Sequence, residues 1–351
     1  MRSWKTGRCS LPTCRKSGIR MISVRALAGV MGRLGCACAG LLLGLLPLGA
    51  LAQGPQRPAF DVVPLGVRGG LDEGNLSAYL VAPAGSSAYV CLDAGSLRTG
   101  LEKAVANQVF AVDADAVLKT YIKAYLISHA HLDHVAGLLL NAPDDAPKTI
   151  YGLPSCLATL QNDYFNWRAW PNFGPAGAPP ALGKYRLQAL LPGPEVVLPE
   201  TALRLRTFPL SHARPYESAA LLLRSHDDYL LYLGDTGADE LEQGHQLQAL
   251  WQAVGPLVRA GQLRALFIET SYANEQPEKL LFGHLTPARL MQELAALAQV
   301  AGPGALRAVP IVITHRKPPA ANEAAIARQL AAANALGLRL LYPVQGQRLQ
   351  F

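Results

Sequence analysis

Four potential metal ligands fall within six residues of the stretch Ser128-His129-Ala130-His131-Leu132-Asp133-His134. Imidazole suits zinc, and a carboxylate among imidazoles suits zinc, manganese or iron. Side chains alternate along extended chain, so His129 and His131 are expected on one face, converging on one point. Asp133 and His134 are expected to project from the following turn toward a second point nearby. A polar loop that happens to be rich in histidine is the bland alternative, and this spacing argues against it.

The cluster needs an element to hold it. Tyr121 to Ile127 precedes it as an apolar run that reads as a strand entering the core. Val135 to Leu140 reads as a short helix leaving it. Other apolar runs end in the same way. Phe208-Pro209-Leu210-Ser211 leads to His212, Tyr232-Leu233-Gly234 to Asp235, and Ile313-Thr314 to His315. Strand ends are where loops converge in sheet proteins, so these ligands are candidates for one site.

The rest of the chain supplies two rounds of strands followed by helices. Strands are expected at 60–67, 77–82 and 88–92, then at 121–127 and 150–152, with helical periodicity over 101–118, broken near Val109, and over 154–163. A second set follows at 187–191, 203–210, 218–224, 229–233, 265–269 and 309–313, with helices over 247–254, 287–298 and 320–335. Segments 339–342 and 347–351 close the sheets. This order predicts an α+β fold with two sheets face to face and helices outside, a four-layer αββα sandwich. Residues 164–184 stand apart. They hold Tyr164, Phe165, Trp167, Trp170 and Phe173 among four prolines and three glycines, an insertion long enough to be functional rather than a connector.

The chain has 351 residues, half of them apolar, which is enough for a sizeable core. Its formal charge of +7 is misplaced as a sign of nucleic-acid binding. The first 52 residues hold eight basic residues and no acidic one, so of 32 basic residues 24 remain against 25 acidic ones, a net of −1. No basic stripe is present, and no nucleic-acid polymer is expected as partner. Residues 1–52 instead read as a signal peptide: a basic region, the apolar run Ala37 to Gly49, then Ala50-Leu51-Ala52 before Gln53. The run is shorter than the roughly 20 residues that span a bilayer, so cleavage and export to the periplasm or medium are expected, without stable membrane insertion. Met21 or Met31 would give a signal of more usual length. Residues 53–58 read as a linker and 59–351 as one domain. Cys9, Cys14, Cys36 and Cys38 go with the signal; Cys91 and Cys156 are expected as separate buried thiols.

The ordered set His-x-His-x-Asp-His, His, Asp, His resembles the metallo-β-lactamase superfamily over most of residues 60–351. That resemblance implies a metallo-β-lactamase-like sandwich holding two divalent ions, zinc first. His129, His131 and His212 would hold one ion, Asp133, His134 and His315 the other, and Asp235 would bridge them. Further strings resemble the class II cyclic-nucleotide phosphodiesterases: Asn75-Leu76-Ser77-Ala78, Phe165-Asn166-Trp167, Trp170-Pro171-Asn172-Phe173, Gly234-Asp235-Thr236-Gly237, Phe267-Ile268-Glu269 and Phe282-Gly283-His284-Leu285-Thr286-Pro287.

The implied reaction is hydrolysis of 3′,5′-cyclic nucleotides, cAMP or cGMP, to 5′-monophosphates. Two ions sharing a water lower its pKa toward neutral and make a bridging hydroxide for in-line attack. His284 is the candidate proton donor to the leaving ribose oxygen, with Glu269 orienting it and Asp133 counted in the catalytic set. Asn75, Asn166 and Trp170 are candidate substrate contacts; the aromatic insertion would stack a base, plug the core or make a homodimer contact. Arg214, Arg316 and Lys317 lie near ligands but read better as solvated. A lactonase or thioesterase-like hydrolase would share every ligand, and a metal-dependent binding protein would not need the full dinuclear set.

Overall fold

The computed structural model describes residues 57–351. The expected signal peptide and most of the expected linker lie outside the described residues. Strands β1 (Phe60–Gly66), β2 (Ala78–Pro83) and β3 (Tyr89–Leu92) join antiparallel, and β4 (Ile122–Leu126), β5 (Lys148–Gly152) and β6 (Tyr185–Ala189) add in parallel. The second sheet opens antiparallel with β7 (Val196–Val197), β8 (Arg204–Ser211), β9 (Glu217–Ser225) and β10 (Asp228–Leu233). It continues in parallel with β11 (Leu263–Glu269), β12 (Ile311–Thr314) and β13 (Leu340–Leu341). The last strand, β14 (Leu349–Gln350), returns to β1. Among the described residues the sheets are seven-stranded, ordered β14-β1-β2-β3-β4-β5-β6 and β13-β12-β11-β10-β9-β8-β7.

Helices α1 (Arg98–Ala106), α2 (Ala114–Ala116, running into a wider turn at Val117–Tyr121), α3 (Leu132–Asn141) and α4 (Pro154–Thr159) lie in the first half. Helices α5 (Asp239–Glu242), α6 (Gln246–Arg259), α7 (Pro287–Ala301) and α8 (Ala320–Ala333) lie in the second.

The alternation of strand side chains divides the apolar interior into three layers. Val63, Leu65 and Leu80 pack with Leu101, Val135 and Leu138 of α1 and α3. Their strand neighbours Val62, Tyr79 and Val81 turn the other way and meet Leu221, Tyr232 and Phe267 of the second sheet. Leu222, Leu266 and Ile268 pack with Trp251, Leu290 and Leu294 of α6 and α7. Strands buried on both faces read as unbroken apolar runs, which is what residues 265–268 and 311–313 are. The architecture is the expected αββα sandwich. Cys91 and Cys156 are free and buried, as expected.

Boundaries differ from the sequence reading in informative places. Helix α3 starts at Leu132, not Val135, with extended His131 as its N-cap. Asp133 and His134 therefore sit in its first turn, where the helix dipole favours a carboxylate. Helix α6 runs through Gly255-Pro256 to Arg259, because Leu247, Leu250, Trp251, Val254 and Val258 keep burying one face. Strand β7, at two residues, is too short to leave a period. No helix among the described residues is long and apolar enough to cross a membrane.

Candidate active site

Each ligand lies beyond the end of a strand, on one edge of the sandwich. The peptide after β4 carries His129 and His131, and α3 carries Asp133 and His134. His212 follows β8, Asp235 follows β10 and His315 follows β12. The structure brings all seven predicted ligands together. His129, His131 and His212 form one set; Asp133, His134, Asp235 and His315 form another.

In the first set His131 Nδ1 lies 3.1 Å from His129 Nε2 and 3.2 Å from His212 Nε2. In the second, His315 Nε2 lies 3.2 Å from His134 Nε2 and 3.1 Å from Asp133 Oδ2. Donors that share one zinc at ordinary bond lengths sit about 3.3 Å apart, so both sets fit a divalent ion. Asp235 Oδ2 joins them, 3.3 and 3.2 Å from His134 and His315 and 3.8 and 3.9 Å from His129 and His212.

Around the ligands is a layer of hydrogen bonds that the histidine spacing does not announce. Asp93, fully buried after β3, accepts from Ser128 N (2.7 Å), Ser128 Oγ (2.8 Å), His134 Nδ1 (2.7 Å) and Tyr232 Oη (2.6 Å). Because the Ser128 hydroxyl is spent on Asp93, it accepts from His129 Nδ1 at 3.0 Å. His212 Nδ1 donates to the Gly283 carbonyl at 2.8 Å. Ser271 Oγ donates to Glu269 at 2.6 Å and accepts from His315 Nδ1 at 2.9 Å. In these four histidines the tautomer with Nε2 unprotonated is thereby selected, which is the form that binds a metal. The Gly70 N–H donates to Asp133 Oδ2 at 2.8 Å.

Two of these positions cost backbone energy. Asp93 has φ +52° and His315 has φ +56°, left-handed conformations that cost about 1–3 kcal/mol for most residues and persist because hydrogen bonds hold them. Gly69 is required by closeness: a Cβ there would come within 2.2 Å of the His315 ring.

His284 is buried and its Nδ1 donates to Glu269 Oε1 at 2.8 Å, 3.7 Å from Asp235. Burial pulls its pKa down, but the Glu269 carboxylate outweighs this and the net shift is upward. Burial, together with neighbouring imidazoles, pushes His129 well below its usual value and His131 down to about 4; burial also lowers His212. The first set is therefore neutral, as ligands must be. Burial opposes charge on Asp133 and Asp235, yet the facing imidazoles hold both below the carboxylate range. His134, despite burial, is raised by Asp235, Asp93 and Asp133. Carboxylates crowded around one buried imidazole form a negatively charged donor set suited to a cation.

The proposed substrate contacts are placed differently. Asn75 Oδ1 accepts from Val67 N at 3.0 Å and closes the loop that carries Gly69. Asn166 spends both ends within its own turn, Nδ2 on Asn162 and Asp163 carbonyls and Oδ1 on the Arg168 and Ala169 amides. Trp170 is half-buried against the first core layer. Arg214 donates to the Glu242 and Gln243 carbonyls, Arg316 pairs with Glu323, and Lys317 lies over the Tyr272 ring. His226 and His245 are exposed, as expected. Asp93 and Ser271 are further site residues, bonded to His134 and His315. Each is a polar residue just past a buried strand, a position that ligand spacing does not mark.

The family description of class-II cAMP phosphodiesterases matches residues 60–346. A 3′,5′-cyclic-nucleotide phosphodiesterase of Aliivibrio fischeri is 41% identical over 84% of this chain and 94% of its own length. A probable 3′,5′-cyclic-nucleotide phosphodiesterase of Yersinia pestis is 39% identical, over 84% and 90%. The fold is similar to that of unliganded yeast PDE1, with TM-score 0.75 and 21% identity over 84% of this chain and all of that one. It is also similar to the metallo-β-lactamase fold protein YhfI of Bacillus subtilis, with TM-score 0.56 and 14% identity over 84% of this chain and all of that one.

Proposed function

The chain belongs to the class-II cAMP phosphodiesterase family, and from that premise we propose that the strand-end cluster hydrolyses 3′,5′-cyclic nucleotides to nucleoside 5′-monophosphates. The observation that carries this reading is the pair of donor sets joined by Asp235, with the His284–Glu269 pair beside them.

Divalent ions, zinc first from the imidazole-rich donors, would be held by His129, His131 and His212 and by Asp133, His134 and His315, with Asp235 between, and would acidify water and neutralise phosphoryl charge. The chain's own part is orientation and proton supply. Asp93, Ser128, Ser271 and the Gly283 carbonyl fix the imidazoles in advance, so no reorganisation is needed as charge develops. Glu269 holds His284 Nδ1, which leaves Nε2 as the atom to deliver a proton to the departing ribose 3′-oxygen. The basic-then-apolar pattern of residues 1–52 supports an exported enzyme, and exposed Trp167 and Leu182 support a homodimer contact at the insertion. Cell fractionation and sedimentation test these two points.

The activity itself is tested by product analysis. Purified protein loaded with zinc is given 3′,5′-cAMP, 3′,5′-cGMP and an acyl-homoserine lactone separately. The expected result is 5′-AMP or 5′-GMP, abolished by chelation. Lactone opening with both cyclic nucleotides intact would overturn the proposal.

A further inference from the structure

His131 is held differently from the other four ligand imidazoles. His129, His134, His212 and His315 each present Nδ1 to a hydrogen-bond partner of the second layer. His131 turns Nδ1 inward instead, and its Nε2 has no hydrogen-bond partner among the described residues. It is also the exposed member of its set. A ligand at the rim with no hydrogen bond on its outer nitrogen needs another means of orientation.

Tyr216 supplies one. Its ring stacks on the His131 ring, with centroids 4.5 Å apart and planes within 6°. Its hydroxyl also accepts from the Ala130 N–H at 3.2 Å. From the opposite side of the same residue, the Tyr164 hydroxyl donates to the Ala130 carbonyl at 2.9 Å. Ala130 is 2% exposed and separates the two ligands His129 and His131, so both polar groups of this buried residue are satisfied by tyrosines. Tyr216 lies four residues beyond the ligand His212, and Tyr164 opens the aromatic insertion. Stacked aromatic pairs and a fully paired buried peptide both restrict motion.

We propose that Tyr216 and Tyr164 are positioning residues that clamp the His129-Ala130-His131 segment for metal binding, and that the aromatic insertion acts on metal retention through Tyr164. This rests on the reading that His129, His131 and His212 hold a divalent ion. Neither tyrosine is assigned a contact with substrate.

The test is zinc affinity, measured on the whole protein by competition with a chromophoric chelator, alongside kcat and KM at saturating zinc. Loss of a residue that orients a ligand typically weakens metal binding about 10–100-fold. That range is expected for Tyr216→Ala. Tyr216→Phe keeps the stack and should recover most of the affinity. Tyr164→Phe should weaken zinc by about tenfold, with KM unchanged once zinc is saturating. Tyr164→Phe keeps its ring packing while losing the bond to the Ala130 carbonyl, and it decides the matter if Tyr216→Ala does not fold. Parent-like zinc affinity in Tyr216→Ala and Tyr164→Phe would overturn the clamp while leaving the metal reading intact. A parent protein that binds no zinc would overturn both.

Discussion

The ligand cluster and the aromatic insertion both looked functional in the sequence, and they are built on opposite plans. In the cluster, side chains reach across the fold: Asp235 comes from the second sheet and meets histidines of α3 and of β12's end, while Asp93 of the first sheet accepts from Tyr232 of the second. In the insertion, side chains mostly serve their own loop. Asn166 caps its own turn, Trp167 donates to Pro180, and Asn172 bonds the Ala176 and Ala178 carbonyls. Polar groups aimed at distant partners mark a site; polar groups spent locally mark a loop holding its own shape. Lys184 leaves the loop for the Ala142 and Pro143 carbonyls, and Tyr164 leaves it for Ala130, which ties the two regions together.

Substitutions can break this comparison, and the largest effect is expected at its centre. Asp235→Ala removes the oxygen that joins the two donor sets, and turnover should fall by about 10³-fold or more with loss of bound metal. His284→Ala should lower kcat by about 10²–10⁴-fold while metal content stays at the parent level, because His284 is spent on Glu269. If His284→Ala also loses metal, it is a ligand and not a proton donor. Asp93→Asn should weaken metal binding about 10–100-fold, since an amide cannot accept from Ser128, His134 and Tyr232 together. Gly69→Ala should destabilise the protein by about 1–3 kcal/mol through overpacking and displace His315, seen as a lower melting temperature and reduced turnover.

The smallest effect is expected in the insertion. Asn166→Ala removes a turn cap and should cost about 1 kcal/mol of stability, with kcat/KM near the parent's. A large rise in KM with normal stability would show that Asn166 meets substrate and that the loop's self-contained hydrogen bonding is misleading.

These contrasts explain what the sequence made legible. The seven ligands are readable because each follows an apolar run, and a strand buried on both faces fixes where its end must lie. The layered fold is readable for the same reason. Asp93 is not, because one aspartate after one strand has no periodicity and its four donors come from residues 35 to 139 positions away. Tyr216 is equally silent, since its stack on His131 joins β4's end to the β8–β9 turn. The start of α3 was misplaced because Leu132-Asp133-His134 reads as polar loop until His131 is seen as an N-cap. The insertion was legible as an aromatic, proline-rich segment, but composition does not say where its side chains point.

The central claim is that two joined donor sets at the strand ends form the hydrolytic centre. Its most direct test is a titration of metal-free protein with zinc, following binding and 3′,5′-cAMP hydrolysis in the same sample. The account predicts binding of two equivalents, with 5′-AMP production reaching its full rate only as the second is taken up, and none of this in Asp235→Ala. Full activity without added metal in the presence of chelator, or an Asp235→Ala variant that titrates and turns over like its parent, would contradict it.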